Sequence, residues 1–142
     1  MTSKIETFAR LHIPGNPLVL FNIWDAGSAK AVAEAGALAI ATGSYGVAEA
    51  QGFKDGEAFT LDLALTNLER IIGVTDLPVT LDMESGYGTT AEEVGRSVAS
   101  ARAAGAVGIN LEDRMPGIAE LTPVAEQARR IAAAAASGIF VN

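Results

Sequence analysis

Apolar residues recur along this chain with two alternating periods. Residues 18–24 (LVLFNIW) are almost continuously apolar, the pattern of a strand buried on both faces. Residues 28–35 (SAKAVAEA) then read as a helix closed by Gly36. A second apolar run, 37–42 (ALAIAT), ends at the turn Gly43-Ser44-Tyr45-Gly46. The polar loop QGFKDGE leads into 60–74, where Leu61, Leu63, Leu65, Leu68, Ile71 and Ile72 suit an amphipathic helix lying on a core. A third strand is predicted over 77–83 (LPVTLDM), with Pro78 near its start, where proline is tolerated. Thr89 and Thr90 offer an N-cap to a helix reaching about Ala104, and Glu92 and Glu93 fall in its first turn, where the helix dipole favours acids. A fourth strand, 106–111 (AVGINL), ends in Glu112-Asp113. Residues 122–136 give a further helix with Pro123 in its first turn, and after Gly138 the residues IFVN begin a fifth strand.

Strands alternating with helices, the strands nearly continuous in apolar residues, indicate an α/β fold on a buried parallel sheet. Two architectures fit: an open doubly wound sheet and a (β/α)8 barrel. No Gly-x-Gly-x-x-Gly follows the first strand, which weakens the dinucleotide-binding version of the open sheet. Residues 1–142 read as a single domain. Because the sequence stops as a fifth strand starts, it is expected to be the N-terminal part of a barrel, roughly five-eighths of one. Such a piece would expose sheet edges, so self-association without catalysis is one reading of its function.

Composition narrows the classes. Apolar residues make up 49% and charged residues 19%, which fits a globular domain and not a disordered chain. A net charge of −7 argues against nucleic acid and anionic membranes as partners. There is no cysteine, so disulfides, thiolate zinc sites and a cysteine nucleophile are excluded. The N-terminal MTSKIETFARLHIPG lacks an apolar signal core, and no run approaches the roughly 18 apolar residues of a membrane helix. A cytoplasmic location is expected. His12 is the only histidine and lies far in sequence from the strand ends, so Ser–His and Cys–His mechanisms have little support.

The candidate chemistry is acidic. Asp82 and Glu84 are two residues apart, so within a strand they would project to one side, roughly 6–7 Å apart. Glu112 would end the neighbouring strand. Three carboxylates converging there repel one another unless a cation sits among them, and oxygen-only ligands suit Mg²⁺, with Mn²⁺ fitting the same set. The competing reading makes these acids caps and solvated strand ends. Gly43-Ser44-Tyr45-Gly46 could point backbone N–H groups at an anion or simply be a tight turn. Asp25 could join the acids or cap the helix near Ser28. Arg114 could meet a substrate carboxylate or a neighbouring acid.

Taken in order, LVLFNIWDAGSAKAVAEAG, ATGSYGVAEAQGFKDGE, LDMESGYG and INLEDR resemble the isocitrate lyase/phosphoenolpyruvate mutase superfamily, over about Leu11 to Asn142. The resemblance implies a (β/α)8 barrel, usually oligomeric, binding Mg²⁺ and small 2-oxo or 2-hydroxy carboxylates. It implies Asp82, Glu84 and Glu112 as metal-site acids, directly or through water, and Asp25 as an aspartate near the metal. It places the Ser44 and Tyr45 amides, beside Gly43, on the substrate's carboxylate or enolate oxygen. Asp55 would be an active-site aspartate on a mobile loop.

The sequence also departs from that family. Isocitrate and methylisocitrate lyases carry a Lys-Arg/Lys-Cys-Gly-His element after the fourth strand, whereas this chain reads EDRMPGIAELTP. The arginine that relatives carry after the fifth strand is absent. The expected activity is Mg²⁺-dependent cleavage of a carbon–carbon bond through an enolate; the alternative is a phosphoenolpyruvate or phosphonopyruvate mutase or hydrolase. For 142 residues alone little activity is expected.

Overall fold

The computed structural model describes residues 3–142. Helix α1 (Lys4–Leu11) is followed by β1 (Phe21–Ile23), α2 (Ala26–Glu34), β2 (Ile40–Thr42), α3 (Ser44–Ala50), α4 (Leu61–Ile72), β3 (Val79–Asp82), α5 (Ala91–Ala103), β4 (Gly108–Asn110), α6 (Val124–Ala135) and β5 (Phe140–Val141). The five strands form one parallel sheet in the order β1-β2-β3-β4-β5. Each strand is therefore beside its predecessor, and the order never reverses as a doubly wound sheet must at its switch point. This sequential order is that of a (β/α)8 barrel, and it resolves the two architectures the sequence left open.

Register divides the strands into two faces. Ile40, Val79, Leu81 and Ile109 join Leu68, Ile71, Val94 and Val98 in the main buried cluster between sheet and helices. The opposite face carries small and polar residues in register: Ala41 beside Thr80, Thr80 beside Gly108, and Asp82 beside Asn110. Helix α1 packs at the other end of the strands, where Phe8 is buried with Ala39 and Val107, the residues just before β2 and β4. His12 stays there too, its ring stacked on Phe140, away from the strand-end acids.

The predicted elements are present but the strands are shorter, since only the paired residues of each apolar run form the ladder. Two differences are substantive. The turn expected at residues 43–46 is the opening of α3, with Gly43 in the N-cap position. Glu84 lies outside β3, at φ 49°, so strand alternation does not set its direction relative to Asp82.

Candidate active site

Strand β3 delivers Asp82 at its last residue, and the chain then turns back within three residues, with the Gly86 N–H donating to the Met83 carbonyl at 2.6 Å. Asp82 is held from two sides. Its Oδ2 accepts from the Ser44 N–H at 2.8 Å and its Oδ1 from the Glu84 N–H at 3.2 Å. Its own N–H donates to Thr42 Oγ1 at 2.8 Å, which ties the ends of β2 and β3 together. The Ser44 amide, expected on a substrate oxygen, is thus engaged by Asp82. Tyr45 supplies a first-turn amide of α3, while its side chain is 67% exposed.

Glu84 is 6% exposed, and burial pushes its carboxyl up to about 7, with the Asp55 and Glu57 charges adding to the rise. Amide donation from Glu57, at 2.7 Å to Oε2, works against that shift. Glu112 follows β4, and its N–H donates to the Glu84 carbonyl at 2.7 Å. Burial first, then the charges of Asp82 and Asp55, hold the Glu112 carboxyl above its ordinary value, and Arg114 partly offsets them. Asp55, Glu84, Glu112 and Arg114 line one cavity of about 240 Å³, together with Met115 and Pro116. Four residues singled out in the sequence therefore meet in one place, with Asp82 close behind.

Asp25 is committed elsewhere. Its Oδ1 accepts from the Ser28 N–H at 2.7 Å and the Ser28 hydroxyl at 2.8 Å, a reciprocal cap on α2. The Ser28 bonds hold its carboxyl below the usual range. Of the two readings open for Asp25, capping is the one the structure shows. Gly43 brings the start of α3 against Asn22, since a Cβ there would lie 2.8 Å from Asn22 Nδ2.

The acids share one end of the sheet but do not form a closed cage. Among the described residues no group of three or more His, Cys, Asp or Glu side chains is gathered closely enough to hold a metal ion. The expectation corrected is that strand alternation projects Asp82 and Glu84 to one side, because β3 ends at Asp82 and Glu84 follows it in left-handed backbone. The donor set still fits a hard divalent cation. It is all carboxylate oxygen, its members repel one another, and Mg²⁺ takes one or two protein oxygens and keeps several waters.

Several site residues went unnoticed in the sequence. Glu57 accepts from the Ser85 hydroxyl and, at 3.0 Å, from the Tyr87 N–H. Arg130, 1% exposed on α6, donates to the carbonyls of Ser85, Gly88 (3.1 Å) and Thr89 (3.0 Å). Gln127 Nε2, one turn earlier, donates to the Glu112 carbonyl at 3.1 Å. A signal did exist for the last two: Gln127, Arg130 and Ala134 fall on one stripe of α6, and polar residues on a buried stripe mark a polar task.

The sequence pattern of the phosphoenolpyruvate phosphomutase family matches residues 8–142. The 2-methylisocitrate lyase of Escherichia coli K12 is 36% identical over 116 residues, covering 74% of this chain and 39% of that protein. A solved structure from Burkholderia cenocepacia J2315, provisionally named a phosphonomutase, is 51% identical with a TM-score of 0.95, over 99% of this chain and 60% of that one. A phosphonopyruvate hydrolase solved with oxalate and Mg²⁺ has the same fold at 23% identity and a TM-score of 0.89, over 96% of this chain and 48% of that one. The chain thus spans less than two thirds of the relatives it matches. With the family pattern running from residue 8 to residue 142 and the strand-end acids in place, the chain belongs to the phosphoenolpyruvate phosphomutase family of the isocitrate lyase/phosphoenolpyruvate mutase superfamily.

Proposed function

We propose that the protein is a Mg²⁺-dependent lyase that cleaves a carbon–carbon bond of a small 2-oxo or 2-hydroxy carboxylate, by retro-aldol cleavage or decarboxylation, through an enolate. The observation that carries this reading is the cavity where Asp55, Glu84, Glu112 and Arg114 meet at the strand ends. Asp82, Glu84 and Glu112 would hold the cation, some of them through water. When bound, it supplies a Lewis acid against the charge that develops on the substrate oxygen. Arg114 stands on the cavity wall, where a guanidinium can take the substrate's carboxylate. Asp55, on the same wall but on an exposed loop, is the residue that can hold or return a proton. The Tyr45 amide, at the first turn of α3, is the donor left to a substrate oxygen once Ser44 serves Asp82.

The 36% identity to a 2-methylisocitrate lyase supports a lyase, as does the short connection after β4, closed by the Thr122 N–H donating to the Asp113 carbonyl at 2.7 Å. A short lid excludes water poorly, and cleavage of an oxaloacetate-like acid demands least of one. One observation favours a second reading, phosphonate mutase or hydrolase chemistry: the 51% identity to the provisionally named phosphonomutase.

The test is release of pyruvate from oxaloacetate and branched malate-type acids by the full-length protein. Turnover is expected to require Mg²⁺ and to fall about 10–100-fold in Glu112→Ala. Metal-independent turnover, or full activity in Glu112→Ala, overturns the lyase reading. Conversion of phosphonopyruvate in its place, followed by phosphorus NMR, selects the second.

A further inference from the structure

Among the described residues, three that bear side chains adopt left-handed backbone: Glu57 (φ 61°), Glu84 (φ 49°) and Tyr87 (φ 52°). They come from two segments 27 to 30 residues apart, yet they are bonded to one another. The Glu57 N–H donates to Glu84 Oε2 at 2.7 Å, and the Tyr87 N–H donates to Glu57 Oε1 at 3.0 Å. The Ser85 hydroxyl donates to the same Glu57 oxygen. Such backbone persists where surrounding contacts over-determine it, and it gathers at functional sites. Glycine would adopt φ 61° freely at position 57, so a glutamate there implies a task for its side chain.

We propose that Glu57 is a positioning residue, a latch that fastens the 52–58 loop onto the turn after β3. The contact runs both ways. The loop's amide sets the Glu84 carboxylate in the cavity wall, while the turn's amide and hydroxyl hold the Glu57 carboxylate. Asp55 lies two residues before Glu57 and lines the same cavity as Glu84. Fixing Glu57 therefore fixes both the placement of Asp55 and the direction of Glu84. The latch rests on the enolate reading above only where activity is measured.

Glu57→Gly separates the latch from backbone strain, since it keeps the left-handed conformation and removes the side chain. Glu57→Gln keeps an oxygen that can accept from Tyr87 and Ser85. Hydrogen exchange by mass spectrometry over residues 53–59 and 84–90 is expected to quicken about tenfold or more in Glu57→Gly and to remain near wild type in Glu57→Gln. On the substrate the wild-type protein turns over, kcat is expected to drop about 10–100-fold in Glu57→Gly with KM changed far less, and to recover in Glu57→Gln. Wild-type exchange in Glu57→Gly overturns the latch. Faster exchange with unaltered kcat also overturns it, because the residue would then only brace the loop. If the wild-type protein converts neither substrate class, the enolate reading falls, while the exchange rates still decide whether the latch exists.

Discussion

Two glutamates show how far environment outweighs residue type here. Glu84 is buried and its carboxyl rises to about 7. Glu93 is only partly covered at the surface, yet the Thr90 amide first, then the Thr89 hydroxyl and amide, pull it down to about 2. The sign for Glu93 follows directly. Its folded value lies below its unfolded value, so its stabilisation is present above about pH 4.5 and fades as pH falls toward about 2. Glu93→Gln should therefore melt below wild type at pH 6, with the gap closing by about pH 2 in a pH series of thermal unfolding. The glycines of Gly86-Tyr87-Gly88 act by contact as well as by conformation. A Cβ on Gly88 would sit 2.6 Å from Glu93 Cβ and 2.9 Å from the Val94 nitrogen, inside the first turn of α5. Backbone cannot step aside as a side-chain tip can. Gly88→Ala should cost about 2–3 kcal/mol, read as a denaturation midpoint shifted at constant m-value.

Helix α6 reaches the site through Arg130. Its guanidinium is buried, its Nε has no partner, and the ion pairs among the described residues are Lys30–Glu34, Arg96–Glu92 and Arg129–Glu126. Backbone carbonyls of the 85–89 turn are what it holds. Arg130→Met keeps the stem and leaves the buried Ser85 carbonyl unsatisfied, so it should destabilise by about 2–3 kcal/mol and lower the melting temperature by roughly 5–10 °C. At this scale the sequence was readable wherever one periodic face was long. Leu61, Leu65, Leu68, Ile71 and Ile72 of α4 and the capping threonine of α5 stand where pattern and chemistry put them, whereas Leu63, expected on the same face, points to the exposed side. Helix α3 escaped because its seven residues open on a glycine-bracketed Ser-Tyr that reads equally as a turn. At the site, Asp82 and Glu112 were legible as acids closing apolar runs. Glu57 was not, and the α6 stripe that marks Arg130 does not name its partners, since the partners of both lie 27 to 45 residues away and only the folded chain brings them together.

Whole-molecule electrostatics set the terms for any test of metal binding. The chain carries a net charge of −7, so added cations of any kind relieve self-repulsion in the compact state. A rise in stability with MgCl₂ alone would thus say nothing about a site. Matching ionic strength with NaCl isolates the surplus, because screening depends on ionic strength while coordination depends on the ion. A cation held at the β3 and β4 ends should stabilise the native state by about 2.7 kcal/mol at a hundred times its dissociation constant, beyond the NaCl control. Glu112 is the position at which to remove that surplus. Its side chain is exposed and it joins Glu84 through its backbone, while the neighbouring acids hold its carboxyl above the ordinary value, so Glu112→Gln relieves repulsion and should leave the melting temperature in NaCl at or slightly above wild type. The expected outcome is a Mg²⁺ increment present in wild type and reduced by at least about half in Glu112→Gln. Equal increments from Mg²⁺ and NaCl in wild type would reduce the strand-end acids to a charge cluster, and carbon–carbon cleavage would then need another source of charge for its enolate.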